Sequence, residues 1–155
     1  MTWLLVAAAP QATEERLMAQ EAVLFANEAF YRAFAERDIA AMEQLWAEAA
    51  PVACIHPGWS PVVGRERVLA SWRAILTNPA SPAIRCRRPR AFIHGDGAFV
   101  ICYEEIEGAV LIATNLFVRE GPGWKMTHHQ AGPVAVQNEE DEAAGEDDEQ
   151  GRAIH

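Results

Sequence analysis

Two adjacent histidines near the end of the chain are the residues best suited to acid/base chemistry. His128 and His129 follow Trp124 and Met126 in a segment that predicts a β-strand. Neighbouring strand residues point to opposite faces of a sheet. Because His128 shares its parity with the two large apolar residues, we predict that His128 lines the interior and that His129 faces away from it. Such an imidazole can act as a general acid or base; the alternative is a histidine hydrogen-bonded in the core or at a subunit contact.

A tyrosine and a carboxylate in an earlier strand are the second pair of candidate catalytic residues. Tyr103 and Glu105 share their parity with Phe99 and Ile101, so we expect both polar groups on one buried face. A carboxyl group in an apolar pocket has a raised pKa and can exchange protons near neutral pH. Glu105 also belongs to a run of acids near a turn, and the alternative is a solvated strand end.

Five residues are predicted to contact a ligand. His56 ends a short strand before a Pro-Gly turn, which places it at the lip of a cavity, and Trp59 beside it can stack on a flat molecule. Asn115 lies within an apolar strand, where it must find hydrogen-bond partners and either contacts the ligand or braces a neighbour. The alternative for the tryptophans is that they fill the interior. The predicted ligand-binding set is His56, Trp59, Trp72, Asn115 and Trp124.

The elements that must position these residues are helices in the earlier part of the sequence and β-hairpins in the later part. Thr13 is a candidate N-cap for a helix to Glu36, and Asp38 caps a short second helix. Glycine-containing turns separate the later strands. The predicted strands are 52–56, an edge piece at 61–64, 83–94, 98–107, 109–119 and 124–133, with a third helix at 65–76. The apolar stripe of the first helix is Ala22, Phe25, Ala26, Ala29, Phe30, Ala33 and Phe34.

The later strands are apolar on both faces, which predicts a second subunit. In 98–107, Val100 and Cys102 alternate with Ile101 and Tyr103, whereas a sheet with one wet face would alternate apolar and polar residues. Three helices can cover only one face. We therefore predict a homodimer through the sheet face, on an α+β fold whose curved sheet wraps over the helices and encloses a pocket.

Composition predicts one domain with a charged tail. The 155 residues carry 22 acids and 13 bases, but eight acids and one base lie in residues 139–155, which leaves 14 acids and 12 bases for the rest. We predict a flexible N-terminus over 1–12, a single domain over 13–137 and a disordered acidic tail over 138–155. The tail either solubilises the protein or docks on a basic partner. The nearly neutral body argues against nucleic acid as a partner.

The cysteines and the apolar runs bear on location and cofactors. Cys54, Cys86 and Cys102 show no C-x-x-C spacing, so they indicate reduced thiols in a cytoplasmic protein. No run approaches the ~20 apolar residues of a membrane span. Adjacent histidines alone do not converge on an ion, and phosphate-loop and Ser-His-Asp signatures are absent. We therefore predict no metal, no cofactor and no membrane partner.

The order of elements and several short stretches resemble the nuclear transport factor 2-like superfamily, in particular its SnoaL-like bacterial branch. The resemblance covers about residues 20–134. The stretches that carry it are Asn27–Asp38, Met42–Trp46, His56–Trp59, Gly64–Glu66, Ala113–Val118 and Gly123–Ala131.

This resemblance implies an α+β cone with an internal cavity, usually in a homodimer. It does not fix the activity, because the superfamily includes polyketide cyclases, ketosteroid isomerases, dehydratases, a kinase association domain and transport factors. The ketosteroid-isomerase set of one base with a tyrosine and a protonated acid cannot be placed on this sequence. Our hypothesis is a cofactor-free isomerase, cyclase or dehydratase acting on a small apolar cyclic substrate. The alternative is a non-catalytic binding or assembly module.

Overall fold

Three helices and a six-stranded mixed sheet form the protein in a computed structural model, which describes residues 8–135 and side chains from residue 11. Strand β1 runs parallel to β6, and the other neighbouring strands are antiparallel. The strand order is β2-β1-β6-β5-β4-β3. In chain order the elements are α1 Ala8–Glu36, α2 Ile39–Leu45, β1 Ala53–Ile55, β2 Val62–Val63, α3 Arg65–Thr77, β3 Ile84–His94, β4 Gly97–Ile106, β5 Ala109–Glu120 and β6 Gly123–Pro133.

Most predicted elements are confirmed to within a few residues, and the N-terminus is the exception. Asp38 caps α2 as predicted, because its carboxylate accepts a hydrogen bond from the Ala41 backbone N–H at 3.0 Å. Helix α1, however, begins at Ala8, so Thr13 is not its N-cap and the predicted flexible segment overlaps helical residues. The predicted acidic tail over 138–155 lies outside the described residues.

The buried face of α1 is rotated from the predicted stripe. Phe30 and Phe34 are buried as expected, but Phe25 is 67% exposed. Two polar residues, Asn27 and Tyr31, take buried positions instead. The side of the helix that packs on β3 and β4 contains Asn27 and Tyr31 and leaves Phe25 outside. The helix therefore presents an amide and a phenol to the sheet.

Strand β4 turns its small residues toward α1. Ala98, Val100 and Cys102 are buried on the helix side together with Glu104, whereas Phe99 is 36% exposed. A helix that approaches a sheet closely leaves room only for small side chains beneath it. The prediction that Tyr103 and Glu105 face the interior is therefore wrong: they lie on the outer face, where Glu105 pairs with Arg87 at 2.5 Å.

A β-bulge in β6 reverses the predicted roles of the two histidines. Leu116 pairs with His128 and Phe117 pairs with Met126, so Thr127 is an extra residue that has no partner in the register. One extra residue shifts the alternation of side chains by one position. His129 thus continues the inner face of Met126, and the predicted orientations of the histidines were wrong.

Large side chains occupy the interior between the helices and the sheet. Phe30, Trp46, Trp72 and Met126 are each at most 2% exposed. Trp72 meets Phe30 edge-to-face at 5.2 Å between ring centroids. The open spaces described below lie beside α1 rather than in the middle of the cone.

Candidate functional site

Five polar residues from α1, β4, β5 and β6 meet in the interior and form what we call the polar cluster. Each is at most 6% exposed. Burying a polar group costs free energy unless the group is hydrogen-bonded. Apolar residues would fill the same space without that cost, so five polar residues together mark a candidate functional site. The polar cluster consists of Asn27, Tyr31, Glu104, Asn115 and His129.

Asn115 is the centre of the polar cluster. Its Nδ2 donates to Asn27 Oδ1 at 2.8 Å and to the Tyr31 hydroxyl oxygen at 3.1 Å. Its Oδ1 lies 2.5 Å from Nδ1 of His129. An amide oxygen can only accept, so Nδ1 of His129 carries a hydrogen, and in the neutral ring the lone pair is then on Nε2. Asn115 is thus a brace, one of the two roles predicted for it.

Tyr31 and Glu104 form the proton-donating part of the polar cluster. The Tyr31 hydroxyl donates to Glu104 Oε1 at 2.8 Å, and Oε1 also lies 3.7 Å from Nε2 of His129. Glu104 Oε2 is buried and has no hydrogen-bond partner among the described residues. Burial raises the pKa of Glu104, against a smaller opposing effect of the Tyr31 hydrogen bond. Burial thus favours the protonated form of a carboxyl group that has one uncommitted oxygen and lies beside the His129 imidazole.

The ring of His129 is held as a neutral base. Burial, and then the nearby His56 and His128, lower the pKa of His129 to about 3. The ring packs 5.0 Å from Phe30 and 5.8 Å from Trp72, measured between centroids. The prediction assigned the interior imidazole to His128, whose Nδ1 instead donates to the Ala53 carbonyl oxygen at 2.9 Å on the outer side.

His56 is buried next to the polar cluster but is committed to its neighbours. The Ser71 hydroxyl donates to the Val68 carbonyl oxygen at 2.7 Å and therefore accepts from Nε2 of His56 at 2.9 Å. With its hydrogen in that bond, Ser71 is not set up as a nucleophile. Burial lowers the pKa of His56 to about 4. His56 thus contributes a second neutral imidazole, packed between Trp59 and Trp72.

The three predicted tryptophans do not lie together. Trp72 is buried against His56 and His129, and its indole N–H has no partner among the described residues. Trp59 is 51% exposed on the loop after β1. Trp124 lies at the far end of the sheet, with the Arg119 guanidinium 4.9 Å above its ring. Only Trp72 contacts the polar cluster.

An open cleft leads to the polar cluster between α1 and β3. Its volume is about 650 Å³, within the range of small-molecule sites. Asn27, Tyr31 and Cys86 line its inner part, and Cys86 Sγ accepts from Nδ2 of Asn27 at 3.8 Å. The interaction of its thiol with Cys102 contributes most to the lowered pKa of Cys86. Leu24, Phe25, Ile84 and Pro89 form apolar walls, and Glu21, Glu28, Arg32 and Arg85 complete the lining.

Sequence reasoning missed the residues that the structure brings together. Asn27, Tyr31 and Glu104 were not singled out as site residues. A signal was present in α1, since Asn27 and Tyr31 are polar residues one turn apart beside Phe30. Of the predicted site residues, Asn115 belongs to the polar cluster, and His56 and Trp72 adjoin it. The functional roles predicted for all of them stay predictions.

Acid should destabilise the protein through its buried histidines. The pKa of His129 is lowered, so the stability contributed by its neutral ring is complete above about 6.5 and is lost as the pH falls toward about 3. This amounts to about 2 kcal/mol between pH 6.5 and 5. In urea unfolding, the parent protein should lose about 2 kcal/mol more stability between pH 6.5 and pH 5 than His129→Gln does. An equal loss in both proteins would show that His129 is not held neutral.

The sequence profile of the SnoaL-like domain family matches residues 23–136, and the chain belongs to this family. Its fold is the nuclear transport factor 2-like α+β cone, as predicted. A crystal structure from Streptomyces avermitilis, of a nuclear transport factor 2-like protein with a proposed dehydratase activity, is 33% identical. That match covers 77% of this chain and 98% of the other, with a TM-score of 0.69.

Two further similarities carry quite different names. A proposed calcium/calmodulin-dependent protein kinase type II association domain from Thiobacillus denitrificans is 32% identical, with a TM-score of 0.63, over 71% of this chain and 93% of that one. The F-box protein SKIP8 of Arabidopsis thaliana is 25% identical over 121 residues, 77% of this chain. The chain spans about half the length of this curated relative, 52%.

The described residues contain neither a membrane-spanning helix nor a group of side chains that could hold a metal ion. No helix among residues 8–135 is long and apolar enough to cross a membrane. Within the same part of the chain, no three or more His, Cys, Asp or Glu side chains are grouped so that they could hold a metal ion.

Proposed function

We propose that the protein binds a small, largely apolar molecule in the α1–β3 cleft and that the polar cluster acts on it by cofactor-free acid/base chemistry. The observation that carries this proposal is the contact between cleft and cluster: Asn27 and Tyr31 belong to both. A mostly apolar hollow with a few converging polar groups is the usual form of a small-molecule site.

The electrostatics of the interior support an uncharged ligand group at the polar cluster. Burial favours the protonated form of Glu104 and the neutral form of His129, so the polar cluster suits an uncharged ligand group better than an ion. A ligand carbonyl or hydroxyl oxygen can take the place of Glu104 Oε1 as the acceptor of the single Tyr31 hydroxyl hydrogen. Burial also raises the pKa of Tyr31, which keeps the phenol a donor.

The same geometry suggests how a proton could move. Isomerisation, cyclisation and dehydration of a carbonyl compound each require a base that takes a proton from carbon and a donor that stabilises the developing charge on oxygen. Nε2 of His129 carries the free lone pair, and Tyr31 with protonated Glu104 supplies the donors. A tyrosine beside a protonated carboxyl group is the donor pair of ketosteroid isomerase. The Streptomyces avermitilis relative, with its proposed dehydratase activity, is consistent with this class of reaction.

A binding screen with matched variants tests the proposal. Small cyclic ketones, enones and alcohols would be screened by protein-observed NMR and titrated on the full chain. Tyr31→Phe keeps the ring that packs on Phe30 but removes the donor, so we expect affinity to fall by about tenfold. Arg85→Gln, at the cleft rim, is the matched control and should change affinity by less than about twofold. Equal binding by Tyr31→Phe and the parent protein would contradict the proposal.

The outer face of the sheet favours a second role, as a dimeric assembly module. Phe92 and Phe99 stack at 4.8 Å on this face, and Phe99 and Leu116 remain 36% and 38% exposed. An exposed apolar sheet face of this kind favours the predicted homodimer. Two further observations support this assembly role. Tryptophans fill the interior, and the chain is similar to the Thiobacillus denitrificans association domain. Sedimentation velocity should show a dimer that Leu116→Glu converts to a monomer; a monomeric parent protein would remove this second role.

The remaining part of the proposal concerns location. Cys54, Cys86 and Cys102 are free thiols, and a reducing compartment keeps thiols in this state. This supports the predicted cytoplasmic location. Non-reducing and reducing mass measurements on protein taken from its native cells would show whether the thiols stay free.

A further inference from the structure

A second hollow lies on the other side of α1 from the cleft and shares only Phe25 with the lining of the cleft. This α1 groove has a volume of about 760 Å³ and runs between α1, the end of α2 and the turn from β5 to β6. Its apolar lining includes Met18, Ala22, Phe25 and Ala29 on α1, with Leu45 and Trp124 opposite. The groove is therefore a long apolar trough with a helix as one wall.

The residues of α1 that line the groove have the spacing of a helix-pairing seam. Met18, Ala22, Phe25 and Ala29 follow one another at intervals of four, three and four, the repeat of a coiled-coil interface. Met18 is 69% exposed and Phe25 is 67% exposed. Large side chains alternate with alanines along this seam, so a second helix can place its own large residues over the alanines. The trough is shaped for a helix lying along α1.

The charged residues beside the seam indicate which kind of helix the groove would bind. Glu14, Glu15 and Glu21 are exposed on α1 within the same turns. Glu28 also flanks the seam but pairs with Arg32 at 2.9 Å. At 100° per residue, Arg16 projects from the opposite side of the helix. On α1 the seam is therefore bordered by carboxylates over most of its length, whereas the basic side chain in the groove lining, Arg119, lies on the opposite wall with its guanidinium over the Trp124 ring.

We propose that the α1 groove is the docking site for a basic amphipathic helix of another protein. Leucine-like residues at three- and four-residue spacing would enter the trough, and flanking lysines or arginines would meet Glu14, Glu15 and Glu21. A second copy of α1 fits less well, because either orientation brings acidic flanks together. An anionic membrane surface is repelled for the same reason.

The proposal is tested with a designed peptide and the full chain. The stretch of α1 that lines the groove, from Glu15 to Ala29, is about 21 Å long, so a fluorescein-labelled helix of about 18 residues covers it. The peptide carries leucine at the seam spacing and lysine on both flanks. We expect saturable binding in fluorescence anisotropy that weakens more than tenfold with Met18→Glu and several-fold with Glu15→Lys. Val63→Glu, the same change at a 61% exposed apolar residue on β2, is the matched control and should bind normally.

Specificity and alternative occupants are decided in the same experiment. A peptide of identical composition with shuffled leucines should not bind, and Tyr31→Phe should bind the designed peptide normally, which separates this proposal from the cleft. Equal binding of the shuffled peptide, or no effect of Met18→Glu, would overturn it. So would a parent dimer that Met18→Glu dissociates, which assigns the groove to a second copy. Binding seen only after removal of residues 1–7 would assign the groove to the chain's own N-terminus.

Discussion

Replacing Asn115 by leucine should lower the free energy of unfolding by about 3 kcal/mol. Leucine has the same number of side-chain heavy atoms in a similar branched shape but makes no hydrogen bonds. Asn27 Oδ1 would lose its donor and the His129 ring N–H would lose its acceptor, both in the dry interior. Leaving a buried polar group unpaired costs about 1–3 kcal/mol, and two such groups are left. Asn115 thus stabilises the fold by satisfying its neighbours as much as by its own bonds.

Urea unfolding at pH 7, followed by tryptophan fluorescence, measures this change. Thr114→Val is the matched control, because Thr114 is the next residue of β5 and lies on the outer face, and it should change stability by about 0.5 kcal/mol or less. A loss of less than about 1 kcal/mol for Asn115→Leu would show that the polar cluster is not held together through Asn115.

Replacing Glu104 by glutamine should stabilise the protein progressively more as the pH rises. Burial raises the pKa of Glu104, so over a range of pH above about 4.5 only the unfolded chain releases this proton. The parent protein then loses about 1.4 kcal/mol of stability for each pH unit within that range. Glutamine has no proton to release, and its amide oxygen can still accept from Tyr31.

The difference in unfolding free energy between the two proteins is measured from pH 5 to pH 8. A gap that widens in favour of Glu104→Gln supports a protonated carboxyl group in the folded protein. Glu105→Gln, one residue further along β4 on the outer face, controls for the change from acid to amide. If Glu104→Gln instead becomes less stable than the parent protein as the pH rises, the folded protein stabilises a charged carboxylate at Glu104.

The architecture could be predicted because its signals are local. The strands β3 to β6 are bounded by turns such as Gly95-Asp96-Gly97, and α2 begins at the capping residue Asp38. The family resemblance then supplied the α+β cone, in which a curved sheet wraps over the helices. Local signals do not say how far a helix continues, and α1 accordingly extends beyond its predicted start.

The site could be predicted only in part, because it depends on which face of each strand meets α1. The bulge at Thr127 leaves no mark in the pattern of apolar residues, so strand parity placed His128 inside in place of His129. In β4 the large residues suggested the core, whereas close packing of α1 selects the small ones and buries Glu104 with them. Asn115 could be identified because an amide within an apolar strand always needs partners.

The central claim is that the interior keeps a neutral proton donor, Glu104, beside a neutral proton acceptor, His129. NMR at pH 7 tests it directly, with ¹³C in the glutamate carboxyl groups and ¹⁵N in the histidine rings. Our account predicts a Glu104 carboxyl shift typical of the protonated acid, absent from Glu104→Gln. It also predicts a His129 ring with hydrogen on Nδ1 alone. A carboxylate at Glu104 facing a doubly protonated His129 would contradict it, because the pair would then be a structural salt bridge.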